Sequence, residues 1–149
     1  MLIRPKLEHI RQLVKLGEQN VAESKHKDTY PYDEHFAHNY FKQLIENEHV
    51  YIRAISLDDT IHGYIIGAPF HHPWNATLWL GVNIIYVDQC CRGTKWAGAL
   101  IDDAKEYAKQ KGFKEVVMGD NAFDPDRTAV LFKRKGFTLI GNQYGYEIT

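Results

Sequence analysis

No apolar run in this 149-residue sequence approaches the roughly 18 residues needed to span a bilayer, which excludes a membrane helix. Cysteine is nearly absent. The only two are adjacent, Cys90 and Cys91, so no disulfide can staple distant segments, and a reducing, cytoplasmic setting is expected. The opening residues, Met1-Leu2-Ile3-Arg4-Pro5-Lys6, lack the apolar core of a secretion signal, so the Asn75-Ala76-Thr77 sequon is expected to be silent. An excess of one charge is missing too. With 18 Lys and Arg against 19 Asp and Glu, the net charge of −1 gives no global attraction to nucleic acid or membrane. Repeats, low-complexity tracts and linkers are absent, and the length suits one hydrophobic core. A single domain over 1–149 is expected.

What is present centres on residues 87–100. Leu78 to Val87 is an apolar, β-branched run that reads as a buried strand. Ala97, Leu100, Ile101, Ala104, Tyr107 and Ala108 then recur at three- and four-residue spacing, the mark of an amphipathic helix. Between them lies Arg92-Gly93-Thr94-Lys95. A strand that turns into a helix through such residues aims several backbone N–H groups at one spot, and the helix dipole adds partial positive charge there. That arrangement binds phosphate or pyrophosphate. The spacing is neither the Walker G-x-x-x-x-G-K-[ST] nor the Rossmann G-x-G-x-x-G.

The flanking pattern supplies the remaining elements. Leu2-Ile3-Arg4-Pro5 is a short strand, and Leu7, Ile10, Leu13, Val14 and Leu16 trace a helical face. Asp33 caps a second helix with Phe36, Tyr40, Leu44 and Ile45 on its apolar side. Val50 to Ile55 and Ile61 to Ala68 read as a hairpin across Leu57-Asp58-Asp59-Thr60, and Pro69 to Ala76 as a loop. Glu115 to Met118 is a further strand, and Thr128 to Lys135 a last helix capped by Asp126. Phe137 to Ile140 and Tyr144 to Ile148 then form a closing hairpin.

Arg92-Gly93-Thr94-Lys95-Trp96-Ala97 resembles the acyl-CoA signature [QR]-x-x-G-x-[GA] of the GNAT family of N-acetyltransferases, with Lys95 where glycine is expected. A second stretch, Thr128 to Phe137, resembles the family's A-x-x-x-Y-x-x-x-G-F, with Phe132 in place of the tyrosine and Gly136-Phe137 intact. The resemblance extends from Ile3 to Ile148. It implies an α/β (α+β) fold: a mixed, mostly antiparallel sheet of about seven strands flanked by four helices, whose fourth and fifth strands splay below the cofactor. It also implies an acetyl-CoA-dependent transfer to a primary amine by direct attack. The cofactor contacts it assigns are Ile85 and Val87 along the pantetheine arm, Arg92, Gly93, Thr94, Lys95, Trp96 and Ala97 at the pyrophosphate, and Phe132 beside the thioester. A lysine forced into left-handed backbone at position 95 would cost about 1–2 kcal/mol.

The chemistry is less determined. Asp120 is the expected base, with His71, His72 and a water chain as other candidates. Tyr144 and Tyr146 are the candidate acids in place of the tyrosine that Phe132 replaces. A strand N–H near Ile84 or Ile85 would support the oxyanion. No metal is expected: adjacent cysteines are poor chelators of one ion, even with His62, His71 and His72 in the sequence, and C-x-x-C is missing. Cys91 reads as a small core residue, and His35 and His38 as solvated surface. Lys133-Arg134-Lys135 could meet the adenosine phosphate. The acidic and aromatic segment of Glu23, Asp28, Tyr30, Tyr32, Asp33 and Glu34 favours a cationic acceptor, a small molecule or a peptide or protein amine. Neither membrane nor nucleic acid is an expected partner, and a homodimer is an allowed assembly. The contrasting expectation is a catalytically inert acyl-CoA-binding protein of the same fold, which Lys95 and Phe132 favour.

Overall fold

The computed structural model describes residues 1–25, 27–119 and 125–148. Turn chemistry starts the sheet. Asp58 and Asp59 both take positive φ, 50° and 62°, the backbone of the two-residue turn whose twist matches a hairpin. This turn joins β2 (Tyr51–Leu57) to β3 (Thr60–His71), with Leu57 opposite Thr60. β1 (Leu2–Ile3) pairs antiparallel with β2, and β4 (Leu78–Val87) pairs antiparallel with β3. β5 (Val116–Met118) lies parallel to β4, reached through the crossover helix α3 (Trp96–Gln110). The order across the sheet is therefore β1-β2-β3-β4-β5. The remaining helices are α1 (Ile10–Ala22), α2 (Glu34–Glu46) and α4 (Pro125–Arg134).

Alternation along the strands feeds two cores. On one face Leu13, Val14 and Leu16 of α1 and Phe41 of α2 pack on Ile52, Ala54, Tyr64, Ile66 and Tyr86. On the other, Leu100, Ala104 and Ala108 of α3 pack on Tyr51, Ile55, Ile65, Leu80, Val82 and Val87. Each fully buried aliphatic side chain is worth roughly 1.5–3 kcal/mol. A polar contact fixes where α3 sits. The Tyr51 hydroxyl donates to Asp103 Oδ2 at 2.6 Å, and Arg53 Nε lies 3.2 Å from the same oxygen. Burial pushes the Tyr51 hydroxyl pKa well up, so the group remains a donor. α4 is tied to α3 by Lys135 Nζ, 2.6 Å from Asp102 Oδ2, and by Lys105 Nζ on the Lys135 carbonyl at 2.8 Å.

Several expectations are corrected. Among the described residues the sheet has five strands, not about seven, because residues 137–148 form neither strand nor helix. β5 offers only three residues of edge, and Gly141 and Gly145 weaken the intrinsic strand preference of the tail. β3 continues through Pro69 to His71 where a loop was expected. Its register with β2 stops at Gly67, so proline's missing N–H falls on an unpaired edge. In α2, Asp33 does cap the helix, accepting from the Phe36 N–H at 2.9 Å, but Phe36 is 69% exposed and Phe41 fills the core instead.

Candidate functional site

The site begins with one extra residue in β4. Ile66 pairs with Ile84, yet Gly67 pairs with Val82, which leaves Asn83 out of the ladder as a bulge. A bulge reverses the parity of the strand. Before it, the Leu80 N–H points to β5 and donates to the Glu115 carbonyl at 2.9 Å. After it, the Asp88 N–H donates to the His62 carbonyl on the β3 side at 2.8 Å. By strict alternation the main chains of Tyr86 and Ile84 also face β3, and those of Ile85 and Val87 face away from it. β5 pairs with β4 only from Leu80 to Val82. Among the described residues, Ile85 and Val87 thus present backbone groups to a gap with no strand in it. This is the splay of the fourth and fifth strands.

At the far end of β4 a 3₁₀ turn, Gln89–Cys91, leads into the loop. Gly93 takes φ +76°, a conformation in which any side chain is strained. Because Gly93 absorbs the reversal, Lys95 does not have to. It sits at φ −67°, ψ −14°, ordinary right-handed backbone, and the strain expected at a lysine here is absent. The Thr94 hydroxyl donates to the Cys91 carbonyl and accepts from the Trp96 N–H at 3.4 Å. Helix geometry leaves the first-turn amides of Trp96, Ala97 and Gly98 without carbonyl partners one turn back, and the Ala99 N–H is the first to reach the Lys95 carbonyl, at 2.9 Å. These amides and the positive helix end make an anion cradle.

Cations surround the cradle. Arg92 Nε donates to the Val87 carbonyl at 2.9 Å, its guanidinium pairs with Glu23, and its Cζ lies 5.4 Å from the Tyr86 ring centre. Lys95 Nζ lies 5.0 Å from the Trp96 ring centre. Arg127, at the start of α4, brings Nη2 within 3.6 Å of where a Cβ on Gly93 would stand. Sequence reasoning missed Arg127; its place in the first turn of a helix that returns to the loop was the available signal. Lys133 is exposed, whereas Lys135 is engaged with Asp102.

A cleft of about 1120 Å³ lies beside the gap and reaches it through Val82 and Asn83 of β4, Met118 and Gly119 of β5 and its exit, and Phe132 of α4. The loop residues 92–97 lie outside its lining. Phe132 is buried, its ring centre 5.7 Å from that of Phe137. Asn83, also missed, is the one side-chain amide in the ten-residue strand, and that interruption marked the bulge. Asp120 lies outside the described residues. Tyr144 and Tyr146 are 91% and 86% exposed on the irregular tail and do not line the cleft. His71 pairs with Leu78, at the opposite end of β4 from the loop. Of the acidic segment, Glu23 is held by Arg92, Tyr86 and Gln89, and Tyr32 donates to the Val14 carbonyl. Cys91 is buried in the α3-side core. A hydrogen bond with Cys91 pushes the Cys90 thiol up to about 11, so it is no ready nucleophile.

A gap opened by a strand bulge, followed by an Arg-Gly turn into a helix, is the arrangement that the family resemblance implies. The chain belongs to the acetyltransferase (GNAT) family, whose model matches residues 13–137. Among curated proteins no sequence matches. Solved structures share the fold at low identity. A ribosomal-protein-alanine N-acetyltransferase from Brucella melitensis biovar Abortus 2308 is 17% identical with a TM-score of 0.74, covering 99% of this chain and 98% of its own. A transcriptional regulator from Bacillus halodurans C-125 is 12% identical at TM-score 0.83, covering 99% of both. A predicted acetyltransferase with acetyl-CoA from Clostridium acetobutylicum is 14% identical at TM-score 0.76, covering 99% of this chain and 95% of its own. Among the described residues, no helix is long and apolar enough to cross a membrane.

Proposed function

We propose that this protein is an acetyl-CoA-dependent N-acetyltransferase acting on a primary amine. The observation that carries the reading is the bulge at Asn83, which turns Ile85 and Val87 toward the gap in line with the anion cradle. A pantetheine arm, with its two amides, fits an unpaired strand edge of this kind, and a pyrophosphate fits the amides of Trp96, Ala97 and Gly98 beside Arg92, Lys95 and Arg127. Bound there as substrate, acetyl-CoA supplies an activated thioester whose C–S bond breaks as the amine nitrogen bonds to the acetyl carbon. The chain has three tasks. The Ile85 N–H, free of β3, is suited to stabilising negative charge on the acetyl oxygen. A base must take the proton that the amine loses, and Asp120 is proposed for it. The departing thiolate must be protonated, and Tyr144 or Tyr146 is proposed, since Phe132 has no proton to give.

Phe132 also supports a second reading, in which the same site binds acyl-CoA without turning it over. A thiol-release assay with acetyl-CoA and a panel of polyamines, aminoglycosides, peptide N-termini and lysine peptides separates them. CoA release above the hydrolysis background with at least one amine is the expected result. Acetyl-CoA binding with no release across the panel would leave the inert reading standing.

A further inference from the structure

Independently of any acyl transfer, three side chains where β4 ends are spaced as the ligands of one metal ion. His62 Nδ1, Cys90 Sγ and Cys91 Sγ all lie within 4.8 Å of one another, with Nδ1 3.3 Å from the Cys90 sulfur and the two sulfurs 3.5 Å apart. In a tetrahedral site with Zn–S near 2.3 Å and Zn–N near 2.0–2.1 Å, neighbouring ligand atoms are separated by about 3.5–3.8 Å. The two edges that meet at the Cys90 sulfur stand within a few tenths of an ångström of those values, and the third, from His62 to Cys91, lies within 4.8 Å and closes as the side chains turn onto the ion. We propose that His62, Cys90 and Cys91 form a zinc site at the entrance to the Arg92–Lys95 loop, with the Asp88 carboxylate or water as fourth ligand.

The local fold explains why adjacent cysteines, which point apart in extended chain, converge here. The Asp88 N–H is bonded to the His62 carbonyl, which sets the two strands side by side. The Cys91 N–H then donates to the Asp88 carbonyl at 2.9 Å, closing a 3₁₀ turn that brings both sulfurs back toward β3. Asp88 Oδ2 stands 3.6 Å from His62 Nδ1, which makes its carboxylate a candidate fourth ligand beside the three. Among the described residues no other group of three or more such donors converges.

Donor chemistry selects the ion. Two thiols and an imidazole suit zinc and leave nothing for calcium or magnesium, which take oxygen. On binding, each cysteine releases its proton to solvent and two thiolates neutralise the dication. Cys91 is buried and Cys90 exposed, so the ion would be held from within the fold and open to solvent on one side. The proposal departs from the expectation of no metal, which weighed His62 with the two cysteines and set the group aside because adjacent cysteines are poor chelators of one ion.

The test uses the untagged chain, reduced and stripped of metal. Cobalt(II) replaces zinc as a visible probe. The expected result is a one-to-one complex with a sulfur-to-cobalt charge-transfer band and the intense visible bands of tetrahedral coordination, discharged by zinc. Removing a residue that merely supports a ligand costs about 10–100-fold in affinity, so losing a ligand in Cys90→Ser or His62→Gln should weaken zinc binding by at least about 100-fold. Both positions lie outside the core clusters, and circular dichroism checks the fold. A wild-type spectrum without the sulfur band overturns the proposal without reference to any variant. So does zinc affinity unchanged in both substitutions, which would move the ion elsewhere, for instance to His35 and His38.

Discussion

Gly93→Asp should abolish the stabilisation of this protein by CoA. A ligand at 100 times its Kd stabilises a folded chain by about 2.7 kcal/mol, which for a domain of this size is a rise in Tm of roughly 5–10 °C. Aspartate at 93 would place a carboxylate beside the amides proposed to hold the pyrophosphate, and the rise should vanish. Space is available, because the nearest atom to a Cβ there is Arg127 Nη2 at 3.6 Å. The backbone at φ +76° costs any side chain about 1–2 kcal/mol, so the mutant's own Tm should fall as well. Gly93→Asn carries the same backbone strain and nearly the same shape without the charge. It should keep a good part of the CoA response. A folded Gly93→Asp protein that still responds fully would take the pyrophosphate away from this loop.

Phe132→Tyr should raise the rate of acyl transfer. The ring is buried at the edge of the cleft that opens on Asn83, and a hydroxyl is a small addition directed from α4. A positioned acid is typically worth about 10²–10⁴ in rate. If the natural protein relies on unaided departure of a thiolate whose parent thiol has a pKa near 8.5, single-turnover rates should rise toward that range. If Tyr144 or Tyr146 already serves, the gain should be small, and changing the serving tyrosine to Phe should cost activity that Phe132→Tyr restores. Single-turnover measurement is needed because kcat is silent when product release limits it. Rates that respond neither to Phe132→Tyr nor to loss of either tyrosine would end the acid-replacement idea.

The parts of the fold legible in sequence were those governed by local rules. The run Leu78 to Val87 is β4 to the residue, the helical spacing from Ala97 to Ala108 is α3, and Asp33 caps α2. The Arg-Gly turn into a helix was readable for the same reason, since its chemistry lies within six consecutive residues. What escaped depends on neighbours. The bulge at Asn83 exists only as a mismatch between two strands, so the parity that turns Ile85 and Val87 outward cannot be read from β4 alone. The ease of Lys95 followed from which residue takes the left-handed turn, and Gly93 takes it. Phe36 and Phe41 are both compatible with an apolar face, and only the packing of α2 against α1 and Tyr64 of β3 decides that Phe41 is inside. The closing hairpin was inferred from composition around Gly141, whereas a strand also needs an edge long enough to pair with.

Strand order that follows chain order has a kinetic consequence. β2, β3 and β4 close onto their sequence neighbours through short connections, and the two-residue turn at Asp58 and Asp59 closes the first of the long ladders. Hairpins of this kind form in about 1–10 μs, and short loops cost little entropy to close. The crossover from β4 through α3 to β5, like the connection from β1 through α1 and α2 to β2, spans far more chain, and it rewards closure only once the meander gives α3 a surface to dock on. The scaffold should therefore be assembled before the loop at Gly93 acquires its native shape. Substitutions there belong to the late side of the folding barrier. In a denaturant chevron, Gly93→Asn should speed unfolding and leave the refolding limb nearly unmoved, and a refolding limb slowed in proportion to the lost stability would place the loop in the nucleus instead.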